Sequence, residues 1–361
     1  MRIHWFFKVT GFFAAIFIIW LLFYYALPEI LPAQRVESSE VYGLIFSDQI
    51  WGGNIKIVGD VYTLTNSKVT ILPGTKIKVA INSDKSNMDL LPWHRKEGVN
   101  TGDFYKGVKT GEPFWNESRK IQIHLNTVEM IGEPSNTIEI TSESEDPSPY
   151  DYNILSIRSG KITHALFSNY RRFETNGDLE VMNSTFRNTG ECALCITGGT
   201  PRVYNNTFEN SLRESIWIKK ASPIIDNNLF INLTGDGIKI DPQKIAAPHI
   251  VNNVFEMPQR GAIDIIAGSQ LGEILIARNI FSGNSQIKIA CDAQVKIRDN
   301  AIFGLISFTN GCTGGFTFGS NFWGTIDPRI ILSEKILSKY ERFRIEIPNV
   351  LFMAPKGAGR K

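Results

Sequence analysis

Short runs in which apolar and polar residues alternate recur along most of the chain, separated by a repeated four-residue phrase. The phrase ends at Phe186 as NSTF, then at Phe208, Phe230, Phe255, Phe281, Phe303 and Phe322, a step of about 22 residues. About ten residues after each copy stands an alternating pair: Leu194 and Ile196, Ile216 and Ile218, Ile238 and Ile240, Ile263 and Ile265, Ile287 and Ile289. A second apolar position, Val203, Ile225, Ile250, Ile276 and Ile297, precedes the next copy. A period of two predicts strands, and several strands in about 22 residues with no helical periodicity predict one coil of a parallel β-solenoid. A propeller blade needs about twice this length, and the LxxLxL frame of leucine-rich repeats is missing.

Stacking such coils at roughly 4.8 Å places equivalent residues in columns. Phe186, Phe208, Phe230, Phe255, Phe281, Phe303 and Phe322 are expected to form one internal column, which accounts for 23 Phe against 10 Tyr and 7 Trp. Asn183, Asn205, Asn227, Asn252 and Asn300, with Asn206, Asn228, Asn253 and Asn279 alongside, are expected at a bend. Asn tolerates left-handed backbone there, and its amides can bond from coil to coil.

The first residues break the pattern. GFFAAIFIIWLLFYYAL, 11–27, carries no charge, and Arg2, His4 and Lys8 precede it. Its length and flanks predict a signal-anchor or transmembrane helix over 1–28, with the N-terminus inside and the rest extracytoplasmic. The alternative is a signal peptide that is cleaved to release a secreted protein. Residues 29–40 read as a linker.

The phrases SPIIDNNLF at 222–230 and APHIVNNVF at 247–255 resemble the repeat of right-handed parallel β-helix proteins of the pectin-lyase-like superfamily. IKIVGDVYTLTNSKVTILPGTKIKVAI at 55–81 and SNTIEITSESEDPSPYDYNILSIRSGKI at 135–162 resemble its early coils, and NFWGT at 321–325 its terminal one. The resemblance implies an all-β, right-handed parallel β-helix over 41–355, of roughly a dozen coils at this repeat length. It does not imply an activity, because the superfamily holds lyases, hydrolases, adhesins and proteins without catalysis.

The repeat breaks at 82–120, where Trp93 and Trp115 stand among other aromatic and basic residues. An insertion this long either binds ligand or packs as a cap. Near the end, 327–344 suits a short amphipathic helix, a strand is expected over 345–352, and 356–361 reads as a disordered basic tail. Basic residues number 38 and acidic ones 36, too balanced for a nucleic-acid footprint.

In the repeat register Trp217, Lys239 and Asp264 share one outward column and Lys219, Asp241 and Asp292 the next. Trp217, Lys219 and Lys239, with Trp93 and Trp115, are the expected ligand-binding residues. Diagonal carboxylates of Asp241, Asp264 and Asp292, roughly 7–8 Å apart, suit acid–base work on a glycoside or a calcium site, with Lys239 or Arg260 near a uronate. A ladder of Lys219–Asp241 and Lys239–Asp264 ion pairs is the competing reading, and no other cofactor is expected. The superfamily's polygalacturonase elements are absent, and His249 reads as a surface residue.

Cys291 and Cys312 fall in register on adjacent coils of an exported chain, where a disulfide or two buried thiols would both fit. Cys192 and Cys195 have redox-motif spacing without the strand-to-helix setting that activates a thiol. The sequence therefore points to a membrane-anchored envelope scaffold that presents a polysaccharide-binding surface. A polysaccharide lyase or glycoside hydrolase is the second expectation, and oligomeric state is left open.

Overall fold

The computed structural model describes Ala15 and residues 33–64, 66–81, 84–86, 120–241, 246–256, 261–266, 272–283, 285–309, 312, 314–337, 343–356 and 358–359. The anchor run 11–27, apart from Ala15, lies outside these, as do Trp93, Trp115 and Arg260. Among the described residues no helix is long and apolar enough to cross a membrane.

Each coil contributes one strand to each of three parallel sheets. In one coil Arg202–Tyr204 lies in sheet III, Thr207–Ser211 in sheet I and Glu214–Ile218 in sheet II. Each pairs in parallel with its counterpart one coil on: Ile224–Asp226, Leu229–Ile231 and Ile238–Ile240. Sheet II runs from Glu40–Ile45 to Ile336–Leu337.

The core is built from identical residues in register. Phe167, Phe186, Phe208, Phe230, Phe255 and Phe281 stack at 4.6–5.1 Å, all fully buried on the inner side of sheet I. Each buried ring is worth roughly 2–3 kcal/mol in transfer, with about 0.5–1.5 kcal/mol more for favourable ring geometry. The expected alternating isoleucines line sheet II and the second apolar positions line sheet III, all inward.

The column departs from expectation at its end. Asn279 donates to Asn300, which donates to Asn321, so the phrase in the last coils is counted from the buried Asn. Two residues after these stand Ile302 and Trp323, and they take the inward slot; Ile302 pairs with Phe281. Phe303 and Phe322 are displaced outward by one residue and meet edge-on at 5.7 Å.

The corner from sheet III to sheet I is an Asn pair. The first residue adopts a left-handed φ of 51–58° at Asn183, Asn205, Asn227 and Asn252, and Arg278 and Asp299 take the same place. The second, Asn206, Asn228, Asn253, Asn279, Asn300 or Asn321, is fully buried. Its carboxamide oxygen accepts both the backbone N–H and the side-chain N–H of the preceding coil's Asn, at 2.8–3.0 Å where the copies repeat. Asn279 and Asn300 thus belong to this inner column, and Asn300 not to the outer one.

A second left-handed column was not expected. Asn169, Asn188, Asn210 and Asn232, then Gly283, turn the chain from sheet I to sheet II with φ of 52–65°. Each stands two residues after a column Phe, so the signal is a repeated F-x-N/G.

The C-terminal segment is less helical than expected. A turn at Pro328–Ile330, capped by Asp327, runs into a wider turn at Ile331–Lys335 and then the strand Ile336–Leu337. The last strand is Phe343–Glu346. The tail past 355 is also placed where described: the Gly359 N–H donates to the Arg278 carbonyl, beside Val254 and Ile280 on the outside of sheet I.

Candidate functional site on the outer face of sheet II

The long connections flank sheet II. Those entering it span from Val79 to Gln122 and from Ser142 to Tyr152. Those leaving it span from Ile240 to His249 and from Ile265 to Ile274. The opposite corner, held by the Asn pairs, never exceeds the connection from Ile131 to Ile138. The outer face of sheet II is thus the floor between two edges where insertions are tolerated.

Two outward columns run along this face. One holds Glu174, Cys195, Trp217, Lys239, Asp264 and Lys288. The other holds Arg172, Cys192, Glu214, Asp236, Gly261 and Gln286. The pairing register shifts between Arg172 and Glu174 and shifts back between Gly261 and Ile263. Four successive coils therefore carry one extra residue, a bulge continued from coil to coil. It is filled by Ala193, Ser215, Gly237 and Ala262, all small enough to tuck under the face. A bulge re-aims the side chains beside it. Here it sets Glu214 and Asp236 obliquely to Lys239 and Lys288.

The expected column of Trp217, Lys239 and Asp264 is present, but its pairings differ from those expected. Lys239 donates to Glu214 at 3.0 Å instead of pairing with Asp264. Lys288 reaches Asp236 at 3.6 Å across the coil of Gly261, whose missing side chain leaves room. Lys219 lies over the Trp217 ring, 3.9 Å from its centroid, with Lys239 at 5.1 Å. Lys219 makes no ion pair with Asp241 among the described residues.

Asp264 is half-buried between these groups and makes no hydrogen bond or ion pair with a described residue. Burial raises its pKa above the ordinary carboxylate value; Lys288 and Lys239 pull it down, and Asp236 and Glu214 push it up. A carboxyl placed this way can hold a proton to a higher pH than an exposed one.

Asp241 lies beyond the end of its strand, and the next coils put Ile266 and Ala290 opposite it. Asp292 falls in the turn after Ala290, two residues past that column. The diagonal of Asp241, Asp264 and Asp292 is therefore not formed. Among the described residues no three carboxylate, imidazole or thiolate groups converge where they could hold a metal ion. Glu214, Asp236 and Lys288 were not foreseen, although each keeps a fixed offset from an inward isoleucine.

Both cysteine pairs are disulfides. Cys291–Cys312 joins consecutive coils, with Cα atoms 5.2 Å apart, as the register allowed. Cys192–Cys195 closes within one strand, Cα atoms 5.7 Å apart, across the first bulged coil. Towards the N-terminus the face holds Arg172 paired with Glu174 at 2.9 Å, then Tyr62 stacked on His124 at 4.7 Å.

No curated protein matches the chain. One solved structure that aligns with it is a mutant of the periplasmic alginate epimerase AlgG, at 11% identity and a TM-score of 0.49, covering 85% of this chain and 77% of that one. The family model described as right handed beta helix region matches residues 114–302 of 361, more than half of the sequence. With its parallel coils, Asn corners and stacked phenylalanines, the chain belongs to the right-handed β-helix family.

Proposed function

We propose that this protein is a membrane-anchored, extracytoplasmic β-helix that serves as an envelope scaffold and binds acidic polysaccharide on the outer face of sheet II. The observation that carries this reading is the Trp217 ring with Lys219 and Lys239 against it, in one column with Lys288. An indole offers apolar surface to a sugar ring, and the ammonium groups offer charge to its carboxylate. Among the described residues Lys219 makes no ion pair, so it has no carboxylate to release, whereas Lys239 is held by Glu214 at 3.0 Å. A uronate carboxylate can therefore meet Lys219 without displacing a described partner.

A second reading, a lyase or hydrolase acting on the same polymers, is favoured by Asp264. It is a half-buried carboxyl without a direct partner among the described residues, on the floor between the long connections. The test is to apply the full-length chain, in detergent, to glycan arrays and soluble polyuronates with and without calcium. Binding without new chain ends, weakened by Lys239→Met or Trp217→Ala, supports the scaffold. Cleavage abolished by Asp264→Asn overturns it in favour of the enzyme.

A further inference from the structure

The first coil carries an apolar surface at the end where the chain enters the solenoid. Tyr42, Leu44 and Phe46 lie within five residues on the outside of the first coil, Tyr42 just before the turn from sheet I to sheet II at Gly43 (φ 86°) and Leu44 and Phe46 after it, and they are 52%, 40% and 49% exposed. Leu44 is in register with Tyr62, which extends the surface to the stacked His124. The nearby charges are closed into pairs, Arg35 with Glu37 and Glu40 with Lys85 at 2.7 Å. What remains is an aromatic and aliphatic patch framed by neutralised charge.

Its distance from the uncharged run is short. Residue 27 ends that run and Gln34 opens the first strand. Seven residue steps span at most about 25 Å even when fully extended. The first coil therefore cannot leave the neighbourhood of a bilayer spanned by 11–27. Tyrosine beside aliphatic side chains suits the headgroup boundary, where an aromatic ring meets hydrocarbon and its hydroxyl meets water. Among the described residues the outer strand edge of the first coil has no partner, and contact with a membrane at this end shields that edge from pairing with another chain.

We propose that Tyr42, Leu44 and Phe46 dock the first coil on the surface of the lipid bilayer, so that the solenoid is held at a fixed orientation on its anchor. This rests on the membrane-anchor part of the proposed function. Trp217 lies six coils from Leu44 in the same column, which puts the candidate binding face about 29 Å from the docked coil at the inter-strand spacing.

The test uses the full-length chain in phosphatidylcholine vesicles that contain a phospholipid with a photoactivatable diazirine near the headgroup boundary. Lipid adducts are mapped by mass spectrometry in low and high salt. The expected result is adducts both within 11–27 and within 40–50, unchanged by salt. The combined substitution Tyr42→Ser, Leu44→Ser and Phe46→Ser should reduce those in 40–50 by at least about tenfold, from the apolar contact removed, and leave those in 11–27. The conservative set Tyr42→Phe, Leu44→Ile and Phe46→Leu should retain both. Adducts in 11–27 alone overturn the docking and leave the anchor standing, including the case where a second copy or another part of the chain covers the patch. Adducts in neither region overturn the anchor and the docking together, and adducts in 40–50 that disappear in high salt overturn an apolar contact.

Discussion

The corner between sheets III and I and the outer face of sheet II are built on the same coils, yet they use the repeat in opposite ways. At the corner one residue type recurs, fully buried, and each amide bonds the next coil with the same geometry. On the face no residue type repeats from one coil to the next: Cys195, Trp217, Lys239, Asp264 and Lys288 follow one another in a single column. Repetition pairs the inner Asn amides from coil to coil and makes the fold, whereas variation on an exposed column leaves Asp264 without a hydrogen bond among the described residues. Connection length follows the same division, because a corner of two bonded Asn has no slack while the two edges of sheet II do.

The corner should be where the molecule is most easily broken. In Asn228→Ala the Asn206 N–H groups lose their acceptor, and the Val203 carbonyl and the Asn253 oxygen lose a donor. Stranding two or more buried groups at about 1–3 kcal/mol each should cost about 4 kcal/mol. Urea unfolding followed by circular dichroism measures it, and a loss below about 1 kcal/mol would mean that water substitutes for the amide. Next comes the Cys291–Cys312 disulfide, which bolts neighbouring coils at the far edge of sheet II, where no Asn does so. Closing a loop of sequence separation 21 predicts a loss of about 3 kcal/mol for Cys291→Ala with Cys312→Ala. An unchanged midpoint would show that the last coils are held by their cap instead.

The same division explains what could be read from sequence. Phe186 to Phe281 and Asn205 to Asn252 announce themselves because each copy repeats the chemistry of the last. Misassignment begins at Asn300, where NAIF offers a Phe one residue too late and only the hydrogen bond from Asn279 fixes the frame. On the face, register alone brought Trp217, Lys239 and Asp264 together. Partner choice was not legible, because the bulge that turns Lys239 towards Glu214 arises from a pairing shift between Arg172 and Glu174 that no local pattern marks. The small residues Ala193, Ser215, Gly237 and Ala262 before each inward Leu or Ile are its one trace.

A smaller effect tests the bulge itself. Cys192→Ala with Cys195→Ala opens a loop of only a few residues, which the same entropic relation values at no more than about 2 kcal/mol. If the disulfide holds the bulge, polysaccharide binding should weaken by more than this modest loss of stability explains, because Trp217 pairs directly with Cys195. Binding that stays at the wild-type level in a folded variant would show that the small residues hold the bulge unaided.

The smallest expected effect separates a misfit carboxyl from a member of an ion-pair ladder. Burial raises the pKa of Asp264, and Lys288 and Lys239 do not fully offset it. Between the ordinary carboxylate pKa and the raised one the native state therefore binds more protons than the unfolded chain. Stability falls as pH rises through that window, and the loss persists at neutral pH. Asp264→Asn removes the ionisation, so the variant should be more stable than wild type at neutral pH. The two should converge once the solution is acid enough to protonate both states of the wild type. Urea midpoints at acid and neutral pH read the difference directly. A variant less stable at neutral pH would mean that the two lysines outweigh burial, which makes the face a ladder of satisfied charge and removes the ground for an acid–base role at Asp264.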